Sequence, residues 1–133
     1  MALHWGLFLV LLAMIKGGTA EPWVRWAYVA LAALWVGLAL AFGPQARPGP
    51  KLTGTTRRLF TPAHWALYAL VAATALLNAA ELLHLIAPGP AWVSLLVLLS
   101  AGAFHAIFHV WRHAALYDNA LRTILPRALH RYL

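Results

Sequence analysis

The chain has 133 residues, of which 63% are hydrophobic and only 10% charged, whereas roughly 25% charged is usual for a soluble domain. Too few charges exist to coat a water-soluble enzyme, and the lack of cysteine excludes disulfide scaffolds, thiolate metal sites, iron–sulfur clusters and covalently attached haem. The net charge of +7 does not describe a nucleic-acid binder, because the 10 Lys+Arg occupy gaps between apolar runs and form no dense patch.

A membrane-crossing helix needs about 20 mostly apolar residues, and four stretches qualify in chain order: Leu3 to Ala20, Trp23 to Phe42, Pro62 to Ile86 and Ala91 to Tyr117. Pro62 suits a first helical turn. Gly17-Gly18, the run from Gly43-Pro44 to Pro48-Gly49-Pro50, and Pro88-Gly89-Pro90 separate the stretches. No strand alternation is present, and in lipid only helices or closed barrels satisfy their own backbone. The expected fold is therefore all-α, a single integral membrane four-helix bundle. A basic loop (43–61) joins its second and third helices, and a tail (118–133) follows the fourth. Gly18-Thr19-Ala20 mimics a signal-peptidase site, but no basic segment precedes the first apolar run and Lys16 follows it, so the run reads as a spanning helix.

Charge sets the expected orientation. Arg47, Lys51, Arg57 and Arg58 lie in the second connection, and Arg122, Arg127 and Arg131 in the tail, whereas the third connection has no charge and the first has Lys16, Glu21 and Arg25. The positive-inside rule then places both termini and the long loop in the cytoplasm, as for a multi-pass membrane protein. Trp5, Trp23, Trp26, Trp65, Trp92 and Trp111 lie near helix ends, as an interfacial aromatic belt would.

Histidine is the chemically informative residue. Ionisable side chains inside a membrane are costly and mark functional sites by default. His4, His64, His84, His105, His109 and His113 all lie in or at the ends of the predicted spans. His105, His109 and His113 repeat at i, i+4, i+8, one stripe on the fourth helix. Such a stripe can glue helices by hydrogen bonds, but further His on two other helices favour cofactor binding. Imidazole suits Fe, Cu and Zn. With no Cys and three carboxylates, a hydrolytic zinc or di-iron site lacks partners, whereas two imidazoles from facing helices suffice for a low-spin haem b. Small residues beside His105 (Ala101-Gly102-Ala103 and Ala106) leave room for a bulky group. At 1.5 Å per residue, His105 lies roughly 10 Å and His4 roughly 5 Å inside the cytoplasmic edge, so His4 is level with His105 or His109. His64 starts the third helix on that side, and His84 lies about 30 Å away on the other.

Phe104-His105-Ala106, then His113, then Asp118-Asn119-Ala120-Leu121-Arg122 and Pro126-Arg127 resemble the bacterial cytochrome b561 family of four-helix membrane haem proteins. His4-Trp5, and His64 with Tyr68, resemble the same family's first and third helices. The resemblance implies His4 and His105 as axial ligands of one haem b. It also implies one-electron transfer with a membrane quinone or a partner redox protein, as an electron-transfer component and not a stand-alone catalyst. The family's second haem takes ligands from the second helix and the start of the fourth. Here the second helix has no His, and Ala91–Trp92 stands near the fourth-helix position, so the second haem is expected to be absent. One haem near one face cannot pass electrons across about 30 Å of hydrocarbon, which suggests a subunit of a larger membrane complex. His64, Arg58, Arg112 and His113 are the donors available to a quinone head, or alternatively headgroup anchors. His109 is a further candidate around the cofactor. Two other readings are a haem-free scaffold subunit and a proton or ion conduit through Asn78, Glu81 and His84.

Overall fold

Pro22 at the first turn of one helix and Pro90 at the first turn of another need no N–H there, and each follows a break in the chain. The computed structural model describes residues 2–17 and 19–132; Gly18 of the first predicted break and the side chain of Arg127 lie outside the described residues. Four helices, α1 (Ala2–Gly17), α2 (Pro22–Phe42), α3 (Gly54–Leu82) and α4 (Pro90–Leu116), are followed by a short α5 (Ala120–Ile124) and a 3₁₀ segment (Arg127–Tyr132). No strand occurs among the described residues. Each long helix packs on the next, and α1 also meets α4, giving an up-and-down bundle.

Three helices, α2, α3 and α4, are long and apolar enough to cross a membrane. The first predicted span is shorter than expected. At 1.5 Å per residue the 16-residue α1 is about 24 Å long, against roughly 30 Å of hydrocarbon. The third is longer. Pro62 lies inside α3, not in its first turn, and the helix begins at Gly54, eight residues earlier. Pro62 cannot donate to the carbonyl of Arg58, which is the bond a proline removes, yet helical geometry continues through it. The connection from α2 is accordingly 43–53 instead of 43–61, and Arg57 and Arg58 stand on α3.

All four long helices contribute to the core: Leu7, Leu11 and Met14 from α1, Tyr28 and Ala32 from α2, Val71 and Ala75 from α3, Leu95 and Leu98 from α4. Buried alanines at 32, 39, 75 and 91 let backbones approach closely, the way packing is gained where lipid competes for apolar contact. The outward faces are apolar too. Leu40, Leu76, Phe104 and Ile107 are each more than 60% exposed, a surface suited to lipid chains and not to water.

Two polar staples tie the ends. At the end holding the 83–89 turn, Arg25 donates from Nε to Asn78 Oδ1 (2.9 Å) and from Nη2 to Glu81 Oε2 (2.8 Å). Glu81 Oε1 accepts the backbone N–H groups of Gly89 (2.9 Å) and Ala91 (2.7 Å). A carboxylate at the start of α4 satisfies orphan donors and complements the helix dipole. At the other, basic end, Arg112 reaches Asp118 Oδ2 through Nε (2.7 Å) and Nη2 (2.6 Å), and Asp118 Oδ1 caps Ala120 N–H (3.0 Å). The 43–53 connection lies over this pair at Gly49, where a side chain would collide with Arg112 Nη2 and stand 2.6 Å from Asp118 Oδ2. Lys51 donates to the Tyr117 carbonyl (3.0 Å), and Trp5 Nε1 donates to the Ile124 carbonyl (2.8 Å), joining α1 to α5.

Candidate functional site

The extra turns of α3 carry His64 to the level of two histidines on α4. One ligand nitrogen from each of His64, His105 and His109 lies within 4.8 Å of the other two. Ring centroids are 4.5 Å apart for His105–His109, 5.2 Å for His64–His105 and 6.2 Å for His64–His109. Residues one turn apart on a helix share a face, so the predicted stripe brings His105 and His109 together, and α3 adds the third ring. His113, a turn further, is half-buried and outside the cluster.

His64 and His109 are buried with nitrogens to spare, and His105 is half-buried. His64 is 9% exposed and His109 is 3% exposed. His64 Nδ1 lies 2.8 Å from the Phe60 carbonyl, which can only accept, so Nδ1 carries the proton and Nε2 presents a lone pair. A second hydrogen bond of this kind is what orients a ligating imidazole. His64 Nε2, both nitrogens of His109 and Nδ1 of His113 are buried without a hydrogen-bond partner. Each such group costs about 1–3 kcal/mol if it stays unsatisfied, so a cofactor or ion relieves a real penalty.

A cavity of about 610 Å³ opens between α3 and α4 beside the cluster, lined by Leu59, Ala63, Leu67, Ala101, Phe104 and Phe108 around His64 and His105. Its size lies within the range of ligand pockets, and its walls are almost wholly apolar. Of the small residues near His105, Ala101 faces it, whereas Gly102, Ala103 and Ala106 are exposed on the outer side of α4. Alanines of α3 supply the remaining space, through Ala63 and Ala66.

The other predicted site residues are placed as follows. His4 lies outside the three-imidazole set, its ring edge-on to Trp5 (5.9 Å) and Trp35 (5.5 Å), and Trp35 stands in turn against Tyr68 (5.2 Å). Arg112 is buried beneath the cluster, its guanidinium carbon 5.2 Å from the Phe60 ring centre and 5.9 Å from that of Phe108. Its ion pair with Asp118 offsets part of the positive charge at this end of the site. Arg58 is exposed on α3.

The conduit reading through Asn78, Glu81 and His84 does not match the geometry. Asn78 and Glu81 spend their polar atoms on Arg25, Thr74 and the start of α4, and His84 is exposed in the following turn. Sequence reasoning found Glu81 and Asn78 but not their partner; an arginine at matching depth on the preceding helix was the signal. Tyr28, Thr74, Asn78, Ala91 and Leu95 are each 0% exposed there, and the cavity of about 310 Å³ between α2 and α3 is lined by apolar residues and glycine alone. With Glu81 and Asp118 both ion-paired and Glu21 exposed, the cluster holds neutral nitrogen donors alone. No family model, curated protein or solved structure matches this chain.

Proposed function

We propose that the chain is a membrane electron-transfer protein of the b-type cytochrome class, holding one haem b at the imidazole cluster. The observation that carries this reading is the cluster itself: three convergent imidazoles, those of His64 and His109 buried with unpartnered nitrogens, beside an apolar cavity. When bound, haem b supplies one-electron chemistry at an iron tuned by its axial ligands and burial. His105 would provide one ligand, and His4 of α1 would be the second, as the family resemblance implies. The His64 hydrogen bond to Phe60 fixes that ring's tautomer toward the site, and the cavity beside it is walled mainly by apolar side chains. A quinone or a redox protein partner exchanges electrons at the basic end, where Arg58, His64, Arg112 and His113 lie. That end also gathers Arg47, Lys51, Arg57, Arg122, Arg127 and Arg131 along the chain, which by the positive-inside rule supports cytoplasmic termini, in the bacterial inner membrane that the family resemblance implies. An absorption spectrum of the chain purified with ample haem supply tests the reading. A Soret band with a sharp reduced α-band after dithionite is expected, and no Soret band leaves a haem-free scaffold subunit.

A further inference from the structure

His105 and His109 form a His-x-x-x-His pair on one helical face, the spacing by which a helix offers two imidazoles to one ion. His64 adds a third nitrogen from α3, and all three ligand atoms lie within 4.8 Å of one another. A tetrahedral site with metal–nitrogen bonds of about 2.0–2.1 Å places neighbouring nitrogens about 3.3 Å apart. Each ring must therefore move by roughly 1 Å, and the cavity beside His64 and His105 gives it room. We propose that in the haem-free chain His64, His105 and His109 together bind one divalent first-row transition-metal ion.

The donor set selects the class of ion. Mg²⁺ and Ca²⁺ require oxygen ligands, and no carboxylate belongs to the cluster. Neutral imidazoles suit Zn²⁺, Co²⁺, Ni²⁺ and Cu²⁺, and three of them leave a fourth position for water or a small anion. Two observations point to a ligand independently of the spacing. His109 is 3% exposed with neither nitrogen partnered, and His64 is 9% exposed with Nε2 unpartnered. The hydrogen bond from His64 Nδ1 to the Phe60 carbonyl already orients that ring for coordination through Nε2. Asp118, paired with Arg112 at 2.6 Å, offsets part of the positive charge that Arg112 places near the ion. The site goes beyond the haem reading and does not depend on it. Both ligands need His105, so the ion-loaded and haem-loaded chains are alternative states.

The test uses the full chain, purified in detergent from haem-deficient cells and without an affinity tag. Zn²⁺ titration by calorimetry is expected to give one ion per chain. X-ray absorption at the zinc edge is expected to show three imidazoles at about 2.0 Å, recognised by scattering from their outer ring atoms, and one water oxygen or small anion. His64→Ala, His105→Ala and His109→Ala should each weaken binding by about 100-fold or more, whereas His84→Ala and His130→Ala should leave it unchanged. A substoichiometric titration, or a shell of oxygens in the unaltered chain, overturns the proposal without relying on any variant's folding. So does binding that survives all three substitutions but is lost with His84 or His130.

Discussion

Replacing Glu81 tests how the far end of the bundle is held. Its carboxylate faces Arg25 at 2.8 Å, and the two side chains are 4% and 9% exposed. In Glu81→Ala the guanidinium keeps only Asn78 Oδ1 and the Asn78 carbonyl as acceptors among the described residues. Removing one partner of a buried ion pair costs about 3–5 kcal/mol. The Gly89 and Ala91 N–H groups lose their acceptor as well, at about 1 kcal/mol each unless water replaces it. A destabilisation of roughly 5–7 kcal/mol is expected where both N–H groups stay unpaired. Glu81→Gln keeps an oxygen for the α4 start but no charge, and should cost about 1.5–3 kcal/mol. Adding Arg25→Met to Glu81→Gln removes the stranded charge, and the double variant should recover most of that loss. Reversible unfolding in mixed micelles with rising dodecyl sulfate, followed by far-UV circular dichroism, measures all the variants. Glu81→Ala within about 0.5 kcal/mol of the parent, or strictly additive single substitutions, would show that the pair is not coupled.

Three further outcomes follow from the site and the basic staple. A pyridine haemochrome assay should find one haem b per chain, since the cavity of about 310 Å³ between α2 and α3 beside Thr74 and Asn78 is lined by no histidine; two per chain would show that this half takes a second cofactor. His105→Ala and His4→Ala should each abolish the Soret band, His84→Ala should leave it unchanged, and His109→Ala should shift the potential while retaining haem. Loss of haem with His109→Ala but not with His105→Ala would move the axial ligand by one turn of α4. Gly49→Ala should destabilise the chain by about 1–3 kcal/mol, because the added carbon displaces the Arg112–Asp118 pair; an unchanged unfolding midpoint would mean that the 43–53 connection simply moves aside.

Much of the bundle is legible before any coordinates, because length of apolar run and Gly/Pro punctuation are local properties of the chain. The breaks at Gly43-Pro44 and at Pro88-Gly89-Pro90 fall where α2 ends and α4 begins. The start of α3 is not legible in the same way. Pro62 carries an N1 signal, but a proline removes one hydrogen bond and does not forbid a helix on both sides of it. That misjudged start matters to the site, since it changes the depth and rotation at which His64 meets α4. The third member of the cluster was recognisable as a histidine on the correct side, but not as a neighbour of His105 and His109.

Sequence alone determined that the chain is helical, apolar on nearly every face, poor in carboxylates and rich in histidine toward one end. It also determined the i, i+4 pairing of His105 with His109, because helical periodicity puts them on one face. Tertiary structure decided which other ring joins them. His64 does and His4 stands apart against Trp35, a choice made by the rotation of each helix about its own axis, which lipid-facing and core-facing apolar residues leave unmarked. Tertiary structure likewise decided that Arg25 and Arg112 are buried and paired, with Glu81 and Asp118, since only the fold brings an acid within 2.8 Å of each. In a sequence this apolar, charge position signals depth, whereas partnership depends on the packing that brings two helices or a helix and its tail together.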